Sequence, residues 1–145
     1  MIAVDTNILV YAHRTDTTSH QTAAACLREL ARSGTPWAIP WPCVHEFLGV
    51  VTHPRIFEEP TPLAVAFDIV DAWRESPSLA LLSEWGGYWG WLRRLMDEGG
   101  IAGPRVHDAR IAALCLSHGV RELWTVDRDF SRFPALATRN PLVAA

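Results

Sequence analysis

The sequence predicts an α/β fold built on a central parallel sheet of about four to five strands with helices on both faces. Two observations carry that prediction. Short apolar runs alternate with longer stretches of helical period along the whole chain, and neighbouring runs are separated by far too many residues for a hairpin. Such spacing calls for crossover connections, which make the strands parallel and cover both sheet faces.

Residues 1–4 are a short apolar run that stops at Asp5, and Asn7 to His13 read as a first short helix. Residues 18–32 place Ala23, Ala24, Cys26, Leu27 and Leu30 on a helical period and stop at Gly34. Trp37-Ala38-Ile39 is a brief strand. Pro40 and Pro42 mark entry to the next helix, because a first helical turn does not need the missing N–H. That helix carries His45, Glu46, Phe47 and Val50, and His53-Pro54 closes it. Pro62 opens a helix through about Trp73, Leu79 to Leu82 form a buried strand, and Trp85 to about Glu98 read as helical. Gly99, Gly100, Gly103 and Pro104 make a turn. Val106 to His118 is the most regular helix, stopped by Gly119, and Glu122 to Val126 form a strand that delivers Asp127.

A chain of 145 residues, 49% apolar and 20% charged, has the size and composition of one globular domain, residues 1–145. No apolar run approaches the roughly 18 residues that a membrane crossing needs, so no membrane role is expected. The N-terminus meets an acid at once, without the basic stretch of a signal peptide, so the expected location is the cytoplasm. Cys26, Cys43 and Cys115 are widely spaced with mostly apolar neighbours and read as reduced core residues. A net charge of −3 argues against coating nucleic acid through bulk electrostatics. All thirteen basic residues are arginine, a bias that genome composition explains as readily as phosphate binding.

Four acids fall at related places in these elements. Asp5 and Asp127 follow strands, while Glu46 and Asp108 lie in the opening turns of helices. In open parallel sheets, strand C-termini and the helix starts that follow share one edge, where the ligand crevice lies. Four carboxylates converging there repel one another unless protonated or neutralised by a cation. Oxygen-only ligands suit hard ions such as Mg²⁺ or Mn²⁺, and the matching chemistry is phosphodiester hydrolysis. Each acid also has an ordinary role open to it: Asp5 as a helix cap, Glu46 and Asp108 as complements to helix dipoles, Asp127-Arg128-Asp129 as a solvated turn.

Read together, Val4-Asp5-Thr6-Asn7 before an apolar helix, His45-Glu46-Phe47-Leu48, Val106-His107-Asp108-Ala109-Arg110-Ile111 and Trp124-Thr125-Val126-Asp127-Arg128-Asp129-Phe130 resemble the PIN domain in its bacterial VapC toxin form. Val51-Thr52-His53-Pro54-Arg55-Ile56-Phe57 and Arg132-Phe133-Pro134 are similar to one VapC subgroup. The resemblance implies a Rossmann-like sheet, an endoribonuclease that needs Mg²⁺ or Mn²⁺, an RNA substrate, a cognate VapB-type antitoxin and a homodimer. It also implies that Asp5, Glu46, Asp108 and Asp127 are the catalytic, metal-binding acids, with Asp5 and Asp108 as direct ligands. Thr6, Asn7 and Thr125 match supporting positions, and Asp129 is an additional acid. The usual polar support just before the third acid is missing, since Gly103 and Arg105 stand there; Arg105 is instead a candidate for substrate phosphate.

His45 and His107 each precede an acid, but adjacent helical side chains point about 100° apart and do not readily share a ligand direction. Trp85, Trp89, Leu92 and Met96 form one apolar stripe beside Tyr88, Trp91 and Leu95. A well-buried helix is the leading reading, with a dimer or antitoxin surface and base stacking as alternatives. Arg93, Arg94 and Arg110 read as solvated charges or as the border of an RNA path. Competing functions are a PIN-like DNA or RNA-processing nuclease outside toxin systems and a non-catalytic module. An aspartyl phosphatase fits poorly, because it wants Asp-x-Asp where Asp5-Thr6-Asn7 stands and the chain has no lysine.

Overall fold

The computed structural model describes residues 1–143. Its elements in chain order are β1 (Ile2–Val4), α1 (Thr6–His13), α2 (His20–Arg32), β2 (Trp37–Pro40), α3 (Trp41–Val51), α4 (Leu63–Arg74), β3 (Leu79–Leu82), α5 (Tyr88–Gly99), α6 (Val106–Ser117), β4 (Glu122–Trp124) and β5 (Thr138–Arg139). Short 3-10 turns span Gly103–Arg105 and Arg128–Arg132.

All strand pairings are parallel, in the order β3-β2-β1-β4-β5. The chain starts in the middle, builds outward to β3, then returns to β1's free edge to place β4. That reversal is a topological switch point between β1 and β4, where neighbouring loops leave in opposite directions and open a crevice at the strands' C-terminal ends. Where crossovers take the usual right-handed path, the helices of the two halves fall on opposite faces; α1 lies against α2 and α3, α3 against α4, and α5 against α6.

The helices end where glycine and proline punctuate the sequence. Gly34 and Gly119, just past α2 and α6, have φ of 76° and 71°, a conformation that glycine adopts without a Cβ penalty. Pro42 sits in the first turn of α3, with Pro40 as its cap residue. Ala109 and Ile111 to Cys115 in α6 are buried, and most of them join β1, β2 and the aromatic rings of Phe130 and Phe133 in one core.

Four expectations change; the strand expected to be buried at Leu79–Leu82 is mostly half-buried, with Leu82 alone buried. The strand expected through Val126 ends at Trp124, so Thr125 and Val126 carry the chain out of the sheet to Asp127. The helix expected from Trp85 begins at Tyr88, because Gly86-Gly87 favours a turn over helix propagation. It is not well buried: Leu95 is 3% exposed, but Trp89 on the helix and Trp85 just before it are 65% and 59% exposed. Cys43 and Cys115 are buried and Cys26 is half-buried, all as free thiols. No helix among the described residues is long and apolar enough to cross a membrane.

Candidate active site: an acid-lined crevice

The crevice predicted by the topology is present at the β1–β4 switch point. A cavity of about 370 Å³ is lined there by Asp5, Thr6, Asn7, Glu46, Asp108 and Asp127, together with apolar side chains of α1, α3 and the loop after α3. The four acids anticipated from sequence therefore share one space.

Asp5 is the most constrained. It follows β1 and caps α1, with its Oδ1 accepting from Thr6 N at 2.8 Å. The capping role and a place in the crevice thus coexist. The Cys43 thiol, on α3, donates to the same oxygen at 3.5 Å. Oδ2 accepts from Thr125 Oγ1 at 2.7 Å and from Asn7 Nδ2 at 3.3 Å. Thr125 spends its whole hydrogen-bonding capacity here: it donates to Asp5 and accepts from Asn7 Nδ2 at 3.2 Å and from Asp127 N at 3.0 Å. Asn7 Oδ1 accepts from Val126 N at 3.3 Å. One hydroxyl and one amide therefore lock the ends of β1 and β4 together.

Burial pushes the Asp5 pKa above its ordinary value, the hydrogen bonds from Thr125, Thr6 and Cys43 pull it back, and the Glu46 charge raises it. Burial and the Asp5 charge also raise the Cys43 thiol well above its usual range, which keeps it a donor. The sequence presents Cys43 as a core thiol and does not mark this contact, because only the packing of α3 on α1 brings it to Asp5.

Glu46, in the second turn of α3, is exposed at the rim and accepts from Thr6 Oγ1 at 3.2 Å. Asp108 is half-buried in the first turn of α6. Its pKa is raised by burial and then by the charges of Asp127, Asp129 and Glu46, while Arg105 opposes them. Asp127 caps the turn after β4, its Oδ1 accepting from Asp129 N at 2.8 Å.

Asp108, Asp127 and Asp129 each bring one carboxylate oxygen within 4.8 Å of the other two. Acids this close repel one another, and a cation held by them would relieve that repulsion. The structure thus groups Asp129 with Asp108 and Asp127, while Asp5 and Glu46 line the same cavity as two of them. A donor set of carboxylate oxygens alone fits a hard divalent cation.

His45 and His107 face solvent and border a second groove that meets the crevice at Glu46 and Asp108. Neither joins the acid group. Arg110 pairs with Glu84 and Arg94 with Glu98, both on the surface. Arg105 is exposed at the start of α6.

A parallel sheet flanked by helices, with acids gathered at its switch point, is the arrangement of a nuclease-type domain. The chain belongs to the PIN-domain family, whose model matches residues 2–136. Within it, the chain is 36% identical to ribonuclease VapC43 of Mycobacterium tuberculosis over 142 residues, covering 98% of this chain and 96% of the relative. It is 32% identical to ribonuclease VapC48 of the same organism over 138 residues, 94% of each. The fold is similar to VapBC2 from Rickettsia felis, solved bound to a DNA fragment from their promoter, at a TM-score of 0.66, 23% identity and coverage of 96% of this chain and 98% of that one. Mycobacterium tuberculosis VapC20, a Sarcin-Ricin loop cleaving toxin, gives a TM-score of 0.65 at 18% identity, covering 90% and 93%.

Proposed function

We propose that this protein is an endoribonuclease dependent on Mg²⁺ or Mn²⁺, the toxin of a VapBC-type pair, acting on RNA phosphodiester bonds in the cytoplasm. The observation that carries the reading is the convergence of Asp5, Glu46, Asp108 and Asp127 on one cavity whose lining includes no arginine or histidine. Uncompensated carboxylates at such proximity are unfavourable unless a cation joins them.

Asp108, Asp127 and Asp129 are the residues that hold the cation, with Asp5 presented to it in a fixed orientation by Thr6, Asn7, Thr125 and Cys43. When bound, the cation supplies positive charge for the phosphate and an activated water. Glu46, steadied by Thr6, adds negative charge at the rim. Arg105, exposed beside Asp108, meets substrate phosphate. The family relatives named ribonucleases at 36% and 32% identity support the RNA substrate. A VapB-type antitoxin partner and a homodimer follow from the same kinship; exposed Trp85 and Trp89 supply apolar surface for such contacts.

Asp5→Asn tests the reading. The variant removes one charge but turns one acceptor toward the donors around Asp5, so its fold is checked by circular dichroism; the folded variant is expected to lose RNA cleavage with Mg²⁺ or Mn²⁺ and to relieve growth arrest on expression in a bacterium. If the Asp5→Asn protein cuts RNA as fast as the parent, Asp5 has no place in the active site.

A further inference from the structure

The acids divide unlike surroundings. On one side, a groove of about 480 Å³ runs from Glu46 and Asp108 to His45, His107 and Arg110. On the other, the acid cavity is walled by Val10, Tyr11, Val50, Ile56 and Phe57. Ile56 and Phe57 belong to residues 52–62, which contain no helix or strand. An irregular segment keeps a fixed wall only if its backbone is tied down.

Arg14 ties it. This residue follows α1 and is 9% exposed. Its Nη1 donates to the Glu59 carbonyl at 2.9 Å and to Thr61 Oγ1 at 3.2 Å. Its Nε donates to Asp16 Oδ1 at 2.9 Å, and Nη2 completes a two-point pair with the same carboxylate. The guanidinium carbon lies 3.9 Å from the centroid of the Phe57 ring. His13 Nε2 meets Thr61 Oγ1 at 2.9 Å, and Thr61 N donates to Val51 O at 2.8 Å. A buried guanidinium is unfavourable unless its donors are used; here they are used to hold one loop and one aromatic ring.

We propose that this clamp presents Phe57 as the floor of a nucleobase subsite, where an unstacked base of single-stranded RNA packs against Phe57, Ile56 and Tyr11 beside the phosphate held at the acids. The proposal rests on the ribonuclease reading. A base is joined to its phosphate through one sugar, and the cavity of about 370 Å³ holds both the acids and the apolar wall. The base of a nucleotide whose phosphate sits at the acids therefore meets that wall. The wall offers aromatic and aliphatic surface, and the cation behind it, Arg14, is paired with Asp16 and does not line the cavity, which suits a base rather than another phosphate. Sequence-specific RNA recognition works largely on bases splayed from single strands. Arg14 is a positioning residue that acts through Phe57: its guanidinium fork matches the Asp16 carboxylate and stacks on the ring, which a lysine cannot reproduce.

The test uses short single-stranded RNAs of random sequence, cut by the wild-type protein with Mn²⁺ to locate the cleaved bond. The cleaved RNA is then synthesised with an abasic sugar at each nucleotide flanking the cut in turn. At one of these positions, loss of the base lowers kcat/KM about 10- to 100-fold, the range for one stacked base, mainly through KM. Phe57→Leu keeps an apolar side chain without a ring; it lowers kcat/KM on intact RNA by a similar factor and is indifferent to the abasic site. Phe57→Tyr restores both values. Arg14→Lys raises KM in the same direction, by less, with kcat near that of the parent. Cleavage that is efficient yet indifferent to every flanking base overturns the subsite, as does Phe57→Leu cleavage that remains fully sensitive to the abasic position; the wall then serves an apolar peptide. If the wild-type protein cuts no RNA, the ribonuclease reading falls first and the subsite with it. The abasic comparison needs no variant, so a misfolded mutant does not shelter the proposal.

Discussion

Asp5 and Asp108 face the same cavity and are held in opposite ways. Asp5 is 5% exposed and receives hydrogen bonds from four groups on three parts of the chain. Asp108 is half-buried, and what surrounds its carboxylate is mainly other carboxylates. Both have raised pKa values with burial as the first cause, but the second influence differs: donors lower the Asp5 value, whereas the charges of Asp127 and Asp129 raise that of Asp108 further. The fold completes the environment of Asp5 by itself. Around Asp108 it gathers acids that Arg105 alone among the named influences opposes. One acid is anchored by donors; the other, on the proposed reading, is where a cation adds most.

The largest effects should separate the two. Asp108→Asn is expected to lower RNA cleavage at least about 1000-fold, since on the proposed reading it removes a metal ligand and with it several kcal/mol of transition-state stabilisation, each step of roughly 1.4 kcal/mol being tenfold. Calorimetric titration with Mn²⁺ sharpens the division. Asp108→Asn and Asp129→Asn should each weaken binding by at least about tenfold, more than Glu46→Gln does, because Glu46 lies outside the tight group. A Glu46→Gln protein that binds Mn²⁺ worse than Asp129→Asn does would show the ion seated elsewhere.

An intermediate effect belongs to the anchor. Thr125 is 3% exposed and serves Asp5, Asn7 and the Asp127 backbone at once. Thr125→Val keeps the shape and strands these partners, so chemical denaturation should show a loss of about 1–3 kcal/mol, the usual penalty for a buried polar group left unpaired. Thr125→Ser retains the hydroxyl and should recover most of it. An unchanged stability for Thr125→Val would mean that the carboxylate of Asp5 does not depend on that lock.

Much of this is legible in the residues. Strand, acid and helix start stand together at Asp5, Asp108 opens a later helix, and the parallel-sheet rule then puts both on one edge without any coordinates. Thr125 is visible through its place before Asp127. What escapes reading depends on long-range packing. Cys43 looks like any apolar-flanked thiol until α3 settles on α1. Arg14 reaches backbone and side-chain partners 45 and 47 residues away. The edge strand β5 is two exposed residues with no periodicity to detect, paired only because Leu123 N and Thr125 N find carbonyl partners at Ala137 and Arg139. The exposed face of α5 departs from the expected burial because an amphipathic stripe reports which residues are apolar, and not whether anything covers them.

The smallest expected effect is the most direct check on the contrast. A carboxyl whose folded-state pKa is raised above its unfolded value binds its proton more tightly in the folded chain. Below the ordinary value of 3.8 nothing is lost; as pH rises from there through the folded pKa of Asp108 the fold loses stability, and the loss then remains constant. Asp108→Asn carries no such penalty. In chelator, the two proteins should therefore melt together near pH 3.8, and the wild type should fall behind as the pH approaches neutrality. Asp108 is only half-buried and water screens its neighbours, so the gap is a few degrees at most. Saturating Mg²⁺ should reverse the order, since an ion bound only by the folded state stabilises it in proportion to affinity. Should wild type in chelator be the more stable protein at neutral pH, Asp108 has a partner within the chain after all, and it is an anchor of the same kind as Asp5.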